Sequence, residues 1–480
     1  MSHYANRVVS GLRLWGLILV ALHLLAPYLG EEIAWGVWPF TYLPWPWRWG
    51  LALGAVLLIF WSDRLWHRIR LSVGRGLPRV PWGAAPLRLA LAASAALPFW
   101  LFRIRHLRWG DAYILANAIP HPEVRLTYVW QAPLDVYLHA RLWQLANRWF
   151  GWPDPIPVYW IVSALAGVAF VWVLLGLAHW LGRTGTERAL IFGLLLTLGT
   201  IQLFFGYIEN YSIMTVGVLL YAWLALRSLR GELKLVWPAA ALAITHAFHP
   251  STIILVPSLL YLAFMTCRQV VPPAGATAGE TRQGPGGQAG LSLFRQALLA
   301  IAVPYAVVFA GVVALMTAGN HGLDALMGVD FPGGGDRKWF VPLFEVTTRW
   351  QHYTMFSPAH LVDIVNQQLM SAPAVWPGLI ILAVLAGRSV PWRDPAFRLL
   401  AVMALSYLVL TLVWNADYGG QRDWDLFSPA AVPAALFLAY TLTRALPDQR
   451  AQGRAAWALI VPQAVHTAAW IYQNTLPYSV

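Results

Sequence analysis

The chain has 480 residues, 59% of them hydrophobic and only 11% charged, against roughly a quarter charged in ordinary soluble domains. A soluble globular protein is excluded, and a polytopic membrane protein is expected. The formal net charge of +12 sits on no soluble domain with a basic stripe interleaved by aromatics, which excludes a nucleic-acid partner and leaves anionic lipids and phosphates.

Apolar runs at 12–29, 50–61, 87–102, 158–181, 189–205, 212–226 and 236–247 read as membrane-spanning helices. Further runs at 252–266, 297–317, 374–386, 399–414, 429–442 and 455–472 bring the expectation to about thirteen spans in an all-α fold. The first run follows Arg7 and Arg13 but lacks a good cleavage site at Ala26-Pro27-Tyr28, so it is an uncleaved span. The 28 tryptophans cluster at run ends, as at Trp45, Trp47 and Trp49, where indole rings anchor at headgroup depth. The single cysteine, Cys267, rules out a disulfide framework and a zinc site built on several thiolates.

Short loops rich in Lys and Arg set the orientation. Arg64 to Arg79, Arg183 and Arg188, Arg227 to Lys234, Arg388 to Arg398 and Arg444 to Arg454 all fall on one side, read as the cytoplasm, with the N-terminus there too. The expected location is a bacterial plasma membrane. A Gly/Pro/Ala/Thr tract, placed at 271–292, reads as a flexible cytoplasmic linker. It divides an N-terminal transmembrane module, 1–270, from a C-terminal one, 293–480, which carries an external loop at 319–372.

The polar stretches gather on the other side. The first, Arg108-Trp109-Gly110-Asp111-Ala112-Tyr113, opens the external loop 103–157, which continues to an amphipathic stretch at 134–150. There Leu138, Leu142, Leu145 and Trp149 recur at helical spacing, as expected of a helix lying on the membrane surface. Asp111 is either a helix cap or partner of Arg108, or a general base toward an acceptor hydroxyl. Glu209, beside Tyr207, Asn210 and Tyr211, is either ion-paired with a loop arginine or a substrate or metal contact. His246 and His249, three apart, would share a helix face as half of a metal site, or simply hydrogen-bond to backbone or lipid.

The Gly333-Gly334-Gly335 run before Asp336, Arg337 and Lys338 is either a phosphate-binding nest or a solvated loop. Arg422-Asp423-Trp424-Asp425 joins a guanidinium, an indole and two carboxylates, a set that suits a glycosyl phosphate, unless Arg422 merely pairs with either Asp. No cofactor is identified; a divalent metal is compatible with these residues and not required by them.

Many spans, Gly110-Asp111 in the first large external loop and the amphipathic 134–150 stretch together resemble the GT-C superfamily of membrane glycosyltransferases, which use lipid-linked sugar donors. The resemblance covers the architecture of most of the chain and, at residue level, one short motif. It implies transfer of a sugar from a polyprenyl-phosphate-linked donor to a lipid, glycan or protein acceptor on the non-cytoplasmic side. Asp111 would activate the acceptor, and basic residues of other external loops would hold the leaving phosphate. Arg337, Lys338 and Arg422 qualify by chemical type, and Arg108, Tyr113, Glu209, Asn210, His246, His249, Asp423, Trp424 and Asp425 complete the expected substrate site. The chain departs from the family in having two spans before the acidic loop's own, an added N-terminal hairpin. A transporter or flippase of a lipid-linked glycan would want charges along a mid-membrane path, whereas here they gather at one face. A surface-glycan polymerase or ligase would share the external site.

Overall fold

The computed structural model describes residues 3–76, 85–121, 126–268, 287–327 and 338–478. Among them the chain is all-helical, its one β pairing an isolated antiparallel bridge between Phe340 and Trp414. Seven helices are long and apolar enough to cross a membrane: Tyr4–Leu29, Ile156–Leu181, Ser212–Leu229, Pro250–Arg268, Leu291–Ala318, Pro395–Val413 and Trp424–Ala445. An eighth is counted if Pro358–Ser371 and Val375–Ser389, bent by 96°, form one passage.

The other expected spans are helices too, but shorter, broken or more polar. Val236–Phe248 has 13 residues, about 20 Å against the roughly 30 Å of a hydrocarbon core. The 87–102 run is two helices, Ala85–Ser94 and Ala96–Leu101. The 189–205 run breaks at Thr197 into Gly185–Leu196 and a 3₁₀ turn, Gly199–Phe204. Backbone freed inside a bundle must find partners. The helix Gln449–Asn474 supplies them: Gln463 Nε2 donates to the Leu194 carbonyl at 2.9 Å and to Thr197 Oγ1 at 3.0 Å, and Thr467 Oγ1 donates to the Thr197 carbonyl at 2.6 Å. Such buried polar groups make Gln449–Asn474 an internal helix.

Of the expected linker, residues 269–286 lie outside the described residues, and from Gly287 onward the chain is already in the helix Gly287–Ala318. That helix is peripheral, with 6% of its apolar window buried, whereas Trp424–Ala445 is central at 89%.

The bundle has two chemically different ends. At one, Tyr4 OH donates to the Ala445 carbonyl at 3.2 Å, Arg183 Nη2 to the Thr443 carbonyl at 2.9 Å, and Tyr440 OH to Asp394 Oδ2. These contacts collect the arginine-rich turns. At the other, Ile104 N–H donates to the Phe205 carbonyl at 2.8 Å, Arg105 N–H to Asn474 at 2.9 Å, and Gly110 N–H to Arg422 at 3.0 Å. The acidic stretches meet there. The helix Pro133–Phe150 turns Asp135, Val136, His139 and Ala140 inward and exposes Leu142, Leu145, Trp149 and Phe150.

Candidate functional site

Three chain breaks between helices build the site: 103–111, 205–211 and 414–423. Gly110 adopts φ +47°, and its missing side chain leaves room for two carboxylates. A Cβ there would lie 2.5 Å from Glu209 Oε1 and 2.8 Å from Asp425 Oδ2. The Asp111 N–H, next along, donates to Glu209 Oε1. Asp111, Glu209 and Asp425 are thereby brought to one point, with Asp423 on the adjoining turn.

Asp111 occupies the N-cap position of Ala112–Ala118, yet its side chain makes no capping bond. Nor does it pair with Arg108, which binds Glu31 Oε1 at 2.8 Å and stacks on Trp109 and Tyr478. Asp111 Oδ1 instead accepts a hydrogen bond from Tyr418 OH at 3.1 Å, and among the described residues no hydrogen bond is made to Oδ2. The residue is half-buried. Its carboxyl is raised, by burial, and the Tyr418 hydroxyl and the Arg422 guanidinium offset only part of that rise.

Glu209 is buried and accepts from the Asn210 N–H at 3.1 Å, without an arginine partner among the described residues. Burial, then Asp425 and Asp111, push it well above the usual carboxylate range. Asp423, accepting from the Tyr418 N–H at 2.8 Å, is likewise pushed well up, by burial first and Asp425 next. Asp425 accepts from Tyr207 OH at 3.0 Å and from the Leu426 N–H at 2.9 Å. Asn210 is buried with Oδ1 unpartnered.

Arg422 pairs with neither Asp423 nor Asp425. It is exposed, its guanidinium lying 4.4 Å from the centre of the Tyr418 ring. An apolar cavity of about 280 Å³ runs between the end of the first helix and Pro358–Ser371, lined by Leu22, Ile33, Val37, Leu361, Val365 and Leu369 among others. Its wall is fastened to the site: Asp363 accepts from Trp35 Nε1 at 3.0 Å and from the Gly420 N–H at 3.1 Å.

Several expectations are corrected. Trp424 is fully buried, edge-on to Tyr207 at 5.5 Å and stacked near Trp470 at 6.2 Å, so it is core and no sugar platform. His246 and His249 do not share a helix face. The helix ends at Phe248, because the residue before a proline avoids the helical region, and His249 takes φ −153°, ψ 120°. Both nitrogens of His246 are engaged, Nδ1 with Thr252 Oγ1 at 2.6 Å and Nε2 with Tyr305 OH at 2.9 Å. His249 Nδ1 pairs with Ser251 Oγ at 2.8 Å. Tyr113 points outward, 55% exposed. Lys338 is exposed and bonds Thr347 Oγ1, on a segment tied to the site loop through Asn415 N–H and the Trp339 carbonyl at 2.9 Å. Gly333 to Gly335, Asp336 and Arg337 lie outside the described residues.

Sequence reading missed Tyr418 as a contact of Asp111, Glu31 as the partner of Arg108, and the buried Asp135–His139 pair, whose Oδ2 and Nδ1 lie 3.0 Å apart. The i,i+4 spacing of Asp135 and His139 was the available signal for the last. Among the described residues, no group of three or more His, Cys, Asp or Glu is arranged to hold a metal ion. No protein-family model, curated protein or solved structure matches the chain.

Proposed function

We propose that the chain is a GT-C-type membrane glycosyltransferase that moves a sugar from a polyprenyl-phosphate-linked donor to an acceptor hydroxyl on the non-cytoplasmic side of a bacterial plasma membrane. The observation that carries this reading is the state of Asp111: one carboxylate oxygen held by Tyr418, the other without a hydrogen bond, and the exposed Arg422 guanidinium on the same tyrosine. The acceptor oxygen attacks the anomeric carbon, its proton passes to Asp111 Oδ2, and the bond from that carbon to the phosphate oxygen breaks. Arg422 meets the charge that grows on the leaving phosphate. The apolar cavity along Pro358–Ser371, whose Asp363 accepts from the Gly420 N–H, suits a hydrocarbon chain, and the arginine-rich turns at the opposite end support a cytoplasmic N-terminus.

Asp111→Asn tests the reading. It keeps the acceptor for Tyr418 and removes the base. Turnover of a polyprenyl-phosphate-linked hexose, in membranes that supply the native acceptor, should fall by about 100-fold or more while binding of sugar-free polyprenyl phosphate persists. Near-normal turnover in the Asn variant would overturn the proposal.

A further inference from the structure

Tyr418 touches three groups of the site at once. Its hydroxyl donates to Asp111 Oδ1 at 3.1 Å, its ring lies 4.4 Å beneath the Arg422 guanidinium, and its main-chain N–H donates to Asp423 Oδ2 at 2.8 Å. The ring is itself held. Trp350 packs edge-on against it at 5.9 Å, and the Trp350 carbonyl accepts from Asn415 Nδ2 at 3.0 Å.

The turn that presents Tyr418 is closed by its own backbone. Gly419, at φ +83°, donates its N–H to the Ala416 carbonyl at 3.0 Å and accepts at its own carbonyl from Arg422 at 3.1 Å and Asp423 at 3.0 Å. His352 Nε2 contacts the Asp417 carbonyl at 2.9 Å from outside. A side chain fixed in this way holds its hydroxyl at one place, and that place is the carboxylate of Asp111.

We infer that Tyr418 is the positioning residue that joins the phosphate-facing guanidinium to the base, holding Asp111 with its hydroxyl while its ring carries Arg422. The inference rests on the glycosyl-transfer reading and deepens it. A hydroxyl that donates to a carboxylate favours the ionised form, which a base requires. The same bond fixes Oδ1, so Oδ2 is the oxygen turned to the acceptor. A cation on the face of the tyrosine ring is held by the ring quadrupole, so the arginine and the carboxylate keep one spacing.

The two contacts separate cleanly in variants. Tyr418→Phe removes the hydroxyl and keeps the ring, and Tyr418→Ala removes both. In Tyr418→Phe, binding of a short-chain polyprenyl phosphate in nanodiscs should stay within about twofold of wild type, which also reports that the site is folded. Its turnover should fall at least tenfold, the scale of one hydrogen bond to a charged group. The acidic limb of its pH–rate profile should move to higher pH, because the carboxylate has lost a donor that favours ionisation. Tyr418→Ala should weaken polyprenyl phosphate binding as well. A Phe variant with wild-type turnover and an unmoved acidic limb overturns the inference, as does a loss confined to phosphate binding. If Asp111→Asn abolishes turnover in the same assay, that failure concerns Tyr418 alone. If Asp111→Asn keeps turnover, the glycosyl-transfer reading falls and this inference with it.

Discussion

Replacing Gly110 by alanine strikes the point where the site elements meet. The backbone there has φ +47°, a region that costs an L-residue about 1–2 kcal/mol. The added Cβ lands 2.5 Å from Glu209 Oε1 and 2.8 Å from Asp425 Oδ2, inside any real carbon–oxygen contact, so at least one carboxylate moves. Glu209 is the nearer, and its Oε1 accepts the Asp111 N–H. Displacing it leaves the Asp111 N–H without its acceptor, at a cost of about 1–3 kcal/mol. Gly110→Ala should therefore lose on the order of 3 kcal/mol of stability. Because the displaced group positions Asp111, turnover should fall by about 100-fold, the usual result of misplacing a reacting group by an ångström. Thermal unfolding in detergent and release of polyprenyl phosphate from a lipid-linked hexose read the two effects. Gly54→Ala is the control: nothing lies within 4 Å of a Cβ there, and alanine is the better helix former by about 1 kcal/mol. Wild-type melting and turnover in Gly110→Ala would refute the packing argument and remove Glu209 from the support of Asp111.

Arg422→Ala should weaken polyprenyl phosphate binding at least tenfold, since a charge-assisted contact contributes about 1.5–3 kcal/mol; unchanged affinity in a direct binding assay removes its phosphate role. Glu209→Gln should change the pH dependence of stability. Burial, Asp425 and Asp111 raise the folded-state pKa of Glu209, so the folded protein holds a proton that the unfolded chain has released. Stability then falls as pH rises from the ordinary carboxylate range toward the raised value. In Gln the loss should be smaller, with Asp111 and Asp423 supplying the remainder. Melting curves between about pH 5 and pH 8 that run parallel in wild type and Glu209→Gln would refute that assignment.

The sequence carried the class of fold and the ends of the bundle, because both depend on local quantities. Apolar runs mark helices, and positive turns collect at one end whichever helices they join. The number of membrane crossings depends on more. The 189–205 run looks continuous by hydrophobicity, and its break at Thr197 is sustained by Gln463 and Thr467, residues distant in sequence that no window includes. Partners of the site were hidden for the same reason: Glu31 and Tyr418 lie far along the chain from Arg108 and Asp111. Trp424 misled because its neighbours Arg422 and Asp423 face the site loop while the indole turns into the core. The histidine pair is a different case. His249 precedes Pro250, and that dipeptide already argued against one helical face for His246 and His249.

In the proposed reaction an anionic donor beside Asp111, Glu209 and Asp423 poses an electrostatic problem, and the surroundings of these acids answer it. Glu209 and Asp423 are buried, with other carboxylates as their charged neighbours, and both are driven toward the neutral form. An acid shifted that way repels a phosphate less. Asp111 differs in its neighbours: burial raises its carboxyl too, but it is half-open, a tyrosine hydroxyl donates to it, and the charge acting on it is the guanidinium of Arg422. The environments push these acids unequally, with opposing contacts only at Asp111 that involve a cation, the pattern by which an active site assigns its base. Within the proposed reaction, Asp111 is the acid able to take the acceptor proton, while Glu209 serves by holding its main chain in place.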